Sequence, residues 1–189
     1  GEEAVSQPCF FETGKLDDPW VGQWLGVEDG DTHPEFQKTF SLPEKPRSAR
    51  LYICGLGLFE AYLNGGKAGN DLLTPFLNDY TEHFQYCTYD VTSLLAQDNT
   101  LSVLLGDGWY RGHFGLGEPT HYERPLALIA ELCMEFADGH TETLRSDSGW
   151  QYRSSFTTLS DIYNGETQDY TTAPGDWKQP TLIPAPGRL

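Results

Sequence analysis

Three groups of residues in this chain have the types and spacing to do chemistry. The acids Asp161, Glu166 and Asp169 fall together in SDIYNGETQDY, and cleavage of a glycosidic bond needs two carboxyls facing one sugar linkage. With 28 Asp and Glu among 189 residues, one such cluster arises by chance, and a solvated or turn-stabilising role is the simpler reading. The run GDGWYRGHFG sets Trp109, Tyr110, Arg111 and Phe114 among four glycines. A flat aromatic face packs on the C–H face of a sugar while Arg and Asp bond its hydroxyls; alternatively, Trp109 and Phe114 cap one end of a core. In Gly69-Asn70-Asp71 a turn would let two side-chain oxygens converge, offering Ca²⁺ the hard ligands it takes. The competing reading is an Asx-turn, in which those side chains bond their own backbone.

Other catalytic signatures are absent from the sequence. It contains no G-x-S-x-G elbow, H-E-x-x-H or P-loop, and Gly-Leu-Gly at 55–57 has no following helix to cradle phosphate. His33, His83, His113, His121 and His140 read as loop or turn residues without metal spacing. Cys9, Cys54, Cys87 and Cys133 form neither a C-x-x-C nor a zinc pattern. The last three lie in apolar or aromatic runs, where a buried free thiol is the expected state and disulfides are the alternative.

The elements that must hold these residues are strands. Residues 36–40 alternate; 50–64 read as two segments, RLYICG and LFEAYLN, around Gly55 and Gly57, ending in the hairpin signal Asn64-Gly65. Further strands are expected at 84–89, 99–105, 126–136, 141–146, 150–153 and 162–169, with Asp138-Gly139 turning 126–136 into 141–146. The one short helical turn expected, at 91–96, opens after Asp90. Many short strands with almost no helical period predict an all-β fold, a jelly-roll β-sandwich of two antiparallel sheets. Its long connections, 66–83 and 106–124, are where binding residues are expected. Residues 1–35 read as a lead-in packing on the sandwich, 36–172 as the jelly roll, and 173–189, with four prolines, as a linker leaving it.

Composition narrows the partners. A formal net charge of −16 argues against nucleic acid and anionic membrane, which require clustered Lys and Arg. No run approaches the ~20 apolar residues of a membrane helix, and an aromatic content of 13% is wrong for disorder. The N-terminal stretch has neither a basic nor an apolar signal region, so the expectation on that ground is a cytoplasmic protein. The chain is too short for a (β/α)₈ barrel, which needs about 250 residues.

Several stretches together resemble the N-terminal sugar-recognition domain of bacterial α-L-rhamnosidases: ARLYICGLGLFEAYLNGGKAGND, TPFLNDY, QYCTYDVTSLL, NTLSVLLGDGWYRGHFG, LIAELCMEFADG and SDIYNGETQDY. FETGKLDDPWVGQWLG and FQKTFSLP are similar to the segment leading into it. The combination of LLGDGWYRGHFG with SDIYNGE is the specific part. The resemblance implies a jelly roll in a longer glycoside hydrolase that releases terminal α-L-rhamnose with inversion. The acids for that reaction lie on a separate (α/α)₆ barrel, so no catalytic residue is carried over to this chain. It further implies that such a domain holds L-rhamnose, or rhamnose-containing glycans, through Ca²⁺ bound by an Asp/Asn pair and a proline carbonyl, here Asn70, Asp71 and Pro125. Trp109, Tyr110 and Arg111 are the candidate sugar wall by chemistry alone. The alternative is a purely structural accessory domain packed on the catalytic barrel, whose sign would be Trp20, Trp24 or Trp150 on an exposed sheet face. A third reading, hydrolysis by this chain itself, has no residues to support it.

Overall fold

The computed structural model describes residues 4–9, 11–28, 33–115, 117 and 125–189; His121 and most of the later part of the 106–124 connection lie outside them. Alternation builds one sheet. In β4 (Leu58–Leu63) and β7 (Asp98–Gly106) every second side chain is buried, and in β2 (Pro34–Ser41) Pro34 and Phe36 are, as expected for a sheet with one face in the core. With β5 (Gly66–Lys67) and β10 (Gln151–Ser154) they make a five-stranded sheet in the order β10-β2-β7-β4-β5. The β4–β5 hairpin turns at Asn64 and Gly65, both at positive φ, the backbone that Asn-Gly favours.

The opposing sheet has the order β13-β1-β8-β3-β6, with β9 also paired to β8. Its strands are β1 (Trp24–Gly26), β3 (Ser48–Leu56), β6 (Cys87–Asp90), β8 (Ala127–Glu135), β9 (Thr141–Arg145) and β13 (Thr181–Ile183). On one edge of β8, β1 pairs at Leu128 and β9 begins at Glu131. Ser146 bridges the junction: its hydroxyl accepts from Ala130 N at 3.1 Å and donates to Gln23 O at 2.7 Å. All strand pairs are antiparallel, and the two sheets enclose one core, running from Trp24 through Leu51, Val103 and Leu132 to Trp150. The fold is the expected all-β jelly-roll sandwich.

The chain passes from one sheet to the other at Gly57. There φ is +110°, and a Cβ would stand 2.3 Å from the carbonyl oxygen of Gly106, so only glycine makes this crossing without strain.

The outer face of the β8 sheet is covered. Glu131 is 1% exposed, and its carboxylate accepts from Lys15 Nζ at 2.8 Å, Gly22 N at 2.7 Å and Val21 N. Burial alone would lower the Lys15 ammonium, but the Glu131 hydrogen bond and charge offset this, so Lys15 titrates above its ordinary value. The same ammonium lies 5.2 Å from the Trp20 and Tyr52 ring centres. Lys15 N donates to Tyr86 Oη at 2.7 Å, and Trp20 meets Tyr86 edge-on. A strap over residues 15–22 is thus fastened across β3 and β8.

Three expectations are corrected. The tail 173–189 is not a free linker: Thr181–Ile183 pairs with β1, Lys178 bridges Tyr152, and Arg188 bridges His83. Its prolines fall outside β13, an edge strand, where missing N–H groups cost no ladder bond. Residues 162–169 are not one strand. They turn at 162–164 and become β12 (Gly165–Gln168), paired to β11 (Thr157–Asp161) in a separate hairpin. Within 106–124, Gly108–Arg111 forms a short helix, α1. The expected helical turn at 91–96 is a 3₁₀ turn at Thr92–Leu94, with Asp90 Oδ1 accepting from Thr92 N at 3.0 Å.

Glu131→Gln is expected to lower stability by about 3–5 kcal/mol in urea unfolding, because it leaves a buried ammonium unpaired. The double variant Lys15→Met/Glu131→Gln should cost less than the sum of the singles; additivity would show that the pair does not interact. Gly57→Ala should cost roughly 2–4 kcal/mol in the same measurement, and a neutral result would contradict the steric account.

Candidate functional site

After the β5 hairpin the chain stays against the edge of the β4 sheet. Ala68 N donates to Ala61 O, and Phe59 N donates to Thr74 O, both at 2.8 Å. Between these ties Gly69 takes φ +74°, and a Cβ there would sit 2.3 Å from the Tyr89 ring. Glycine therefore lets the bend close over β6. Asn70 and Asp71 follow on the exposed side of that bend; burial pushes the Cys87 and Tyr89 pKa values up, and Asp71 is near enough for its charge to add to the rise.

Among the described residues neither side chain has a hydrogen-bond partner, so the Asx-turn alternative is not what the chain adopts at 70–71. It is adopted elsewhere: Asp79, Asp90, Asp138, Asp147 and Asp169 each accept from the backbone N–H two residues on, at 2.8–3.1 Å. Pro125, at the head of β8, lies against Gly26, on the β1 side of that strand. Asp71 lies by β6, and β3 separates the two strands.

The aromatic run divides. Tyr110 is 1% exposed and meets Tyr80 edge-on with ring centres 5.1 Å apart, so it is a core residue and offers no sugar wall. Trp109 packs partly against the core, while Phe114 is exposed. Arg111 Nε stands 3.5 Å from Asp107 Oδ1, and Asp107 Oδ2 meets His33 Nε2 at 3.3 Å. No hydrogen bond or ion pair joins Asn70 or Asp71 to this group.

The acid cluster is structural. Asp161 is a buried carboxylate holding four donors: His113 N at 2.7 Å and His113 Nδ1 at 2.9 Å on one oxygen, Tyr163 N at 2.8 Å and Asn164 N at 2.9 Å on the other. It ties the end of α1 to the β11–β12 turn. Asp169 accepts from Thr171, and Glu166 stands exposed with Gln168 Nε2 at 2.7 Å; no paired catalytic carboxyls result. Burial opposes ionisation of Asp161, but the His113, Asn164 and Tyr163 donors outweigh it and hold its pKa well below the usual carboxylate range.

No local sequence motif marks one further feature of the surface. A groove of about 640 Å³ lies on the outer face of the β4 sheet, floored by β4 and β7 and walled by Leu72–Leu73 and the β11–β12 hairpin. Its signal was Leu58 and Leu104, leucines at outward positions of alternating strands.

Because the Asp161 pKa is lowered in the fold, its stabilisation is complete above the unfolded value of about 3.9 and is lost as pH falls through the folded one. The stability gap between wild type and Asp161→Asn is expected to be about 2–4 kcal/mol and constant from pH 7 to pH 5. It should shrink only below about pH 4; urea unfolding at several pH values checks this, and a gap flat to pH 2 would contradict it.

Comparison with known proteins agrees with this architecture. The family model for the α-L-rhamnosidase N-terminal domain matches residues 44–184. An α-L-rhamnosidase of Streptomyces avermitilis is 42% identical over 182 residues, covering 92% of this chain and 18% of that protein. One from Alteromonas sp. is 29% identical over 190 residues, covering 93% and 21%. Among solved structures, the S. avermitilis α-L-rhamnosidase complexed with L-rhamnose superposes with TM-score 0.74 at 35% identity, over 83% of this chain and 16% of that one. Native α-L-rhamnosidase from Aspergillus terreus gives TM-score 0.76 at 30% identity, over 87% and 21%. The chain spans about a fifth of the length of the curated relatives it matches. It belongs to the α-L-rhamnosidase N-terminal domain family.

Proposed function

We propose that the chain is the non-catalytic carbohydrate-recognition domain of an α-L-rhamnosidase and holds L-rhamnose at the bend carrying Asn70 and Asp71. The observation that carries this reading is that these two adjacent oxygen-bearing side chains are exposed and, among the described residues, have no hydrogen-bond partner, whereas Asp79, Asp90, Asp138, Asp147, Asp161 and Asp169 close turns. The crystallised S. avermitilis relative is a complex with L-rhamnose, which supports the sugar assigned.

The donor chemistry suits Ca²⁺. Asp71 supplies a carboxylate and Asn70 an amide oxygen, whereas Pro125, the third donor the resemblance implies, lies beside Gly26 of β1 with β3 between β8 and β6 and is left out of the proposed ligand set. Among the described residues no three His, Cys, Asp or Glu side chains gather as an alternative metal cluster. A calcium ion takes 6–8 oxygens, so the two side-chain donors leave positions for sugar hydroxyls, and the ion would supply a fixed positive charge to orient them. Asp71 would contribute the charge complement and Asn70 a neutral donor. In the parent enzyme, the domain would keep rhamnosyl ends close to a catalytic barrel elsewhere in the chain.

A structural accessory role is favoured by a different observation. Leu72, Leu73, Phe76 and Leu77 are 70%, 55%, 48% and 49% exposed, an apolar cluster suited to packing on another domain. Trp24 and Trp150, expected on such a face, are core residues at 3% and 1%, and Trp20 packs from the strap onto Tyr86.

Calorimetric titration with L-rhamnose in calcium is expected to give a dissociation constant of about 10 μM to 1 mM, lost with chelator. Asn70→Ala and Asp71→Ala should abolish the heat while leaving the unfolding midpoint within about 0.5 kcal/mol of wild type. No heat with calcium would remove the recognition reading in favour of the structural one, and equal heat with chelator would remove the metal. Purified protein should release no nitrophenol from 4-nitrophenyl α-L-rhamnoside.

A further inference from the structure

The groove on the outer face of the β4 sheet is a built feature. Gly106, at the end of β7, brings the hairpin close: a Cβ there would lie 2.3 Å from Ser160 Oγ. Asp107 N donates to Ser160 O at 3.1 Å, and the Asp161 clasp fixes the hairpin's turn. The opposite wall, Leu72–Leu73, is held by the bond from Phe59 N to Thr74 O. The walls therefore stand apart by construction, and the space between them falls within the ~300–1,000 Å³ of small-molecule sites.

Its lining selects the ligand. Leu58 and Leu104 lie in the floor and Leu72 and Leu73 in one wall, offering a flat apolar slot that gains most from a planar, unhydrated ring. Its charged lining groups, Glu60 and Glu166, are acceptors, set among the hydroxyls of Ser155, Thr157 and Ser160. Glu60 takes the Tyr62 hydroxyl at 2.6 Å and Lys67 Nζ at 2.5 Å, and Glu166 faces it from the hairpin with one bond from Gln168. A carboxylate has about four acceptor sites, so both retain capacity for hydroxyl donors. Lys67 is already paired to Glu60, leaving the groove net negative and hostile to carboxylated or phosphorylated ligands. Tyr62 stays protonated, its pKa pushed up to about 12 by the Glu60 hydrogen bond. A bare sugar, hydroxylated around its ring, matches four leucines poorly.

We infer that this groove is a second ligand site, distinct from Asn70 and Asp71, which takes a neutral hydroxylated aromatic ring such as the phenolic aglycone of an aryl glycoside. The ring lies between the Leu58–Leu104 floor and the Leu72–Leu73 wall, and its phenolic hydroxyl donates to Glu166 or Glu60.

The test uses 4-hydroxyphenyl β-D-glucopyranoside, which carries a phenol and no rhamnose, and methyl β-D-glucopyranoside, which lacks the ring. Calorimetry of the intact chain should give the aryl glucoside a dissociation constant of about 0.1–1 mM and show no binding of the methyl glucoside. Leu73→Asp, at an exposed position with φ +57° that Asp tolerates, should weaken aryl binding about tenfold or more. Glu166→Gln should weaken it about threefold. Asn70→Ala and Asp71→Ala should leave it unchanged, which separates this site from the rhamnose reading. No aryl binding up to about 10 mM, equal binding of the two glucosides, or affinity unaltered by both groove variants would each overturn the proposal.

Discussion

The buried Glu131 carboxylate decides how the two faces of this sandwich are used. A charge on the middle strand of a sheet is tolerable only with good partners, and Lys15, Val21 and Gly22 supply them from the other end of the chain. Holding that carboxylate draws the strap across β3 and β8 and brings Trp20 onto Tyr86. As a result β8 is buried on both faces along most of its length. Its sheet has no outer surface left at the centre for a ligand.

The other sheet keeps its pattern of one buried and one outward face, and there the domain has room to bind. The β11–β12 hairpin covers part of it, tied down by Asp161, and leaves the groove beside it. The bend at 69–71 lies where the edges of the two sheets meet, near Tyr89 of β6. The acid count, which at first suggests paired catalytic carboxylates, has another physical meaning. Asp79, Asp90, Asp138, Asp147, Asp161 and Asp169 close turns, while Glu12, Glu35, Glu131 and Glu135 pair with Arg or Lys. A domain with many short strands needs many turns, and Asp is a favoured residue for closing them.

Much of this was legible because it is local. The Asn64-Gly65 and Asp138-Gly139 turns rest on contacts a few residues apart, the alternation of 36–40 and 99–105 is written in adjacent residues, and each appears in the fold. What was not legible depends on distant partners. Thr181–Ile183 becomes a strand only because β1 offers it an edge. Residues 162–164 turn because Asp161 captures two amides, a choice the β-rich run Ile162–Tyr163 does not reveal. Tyr110 looks the same as its neighbours in the run GWYRG, yet the helix directs it to Tyr80 and leaves Trp109 and Arg111 nearer the surface. The Asn70–Asp71 pair was visible as a candidate, but that it makes no Asx-turn could be read only from the backbone bonds around it. The groove needs two leucines from different strands and a hairpin above them, which no local pattern encodes.

We place the proposed sugar recognition on the Asn70–Asp71 bend and not on the aromatic run. Amide chemical-shift mapping of the ¹⁵N-labelled chain during titration with L-rhamnose in calcium tests it most directly. The largest shifts are expected at Gly69, Asn70, Asp71 and Leu72, with the α1 amides little changed. Shifts centred on Trp109 and Arg111, or no shifts at saturating sugar, would contradict it.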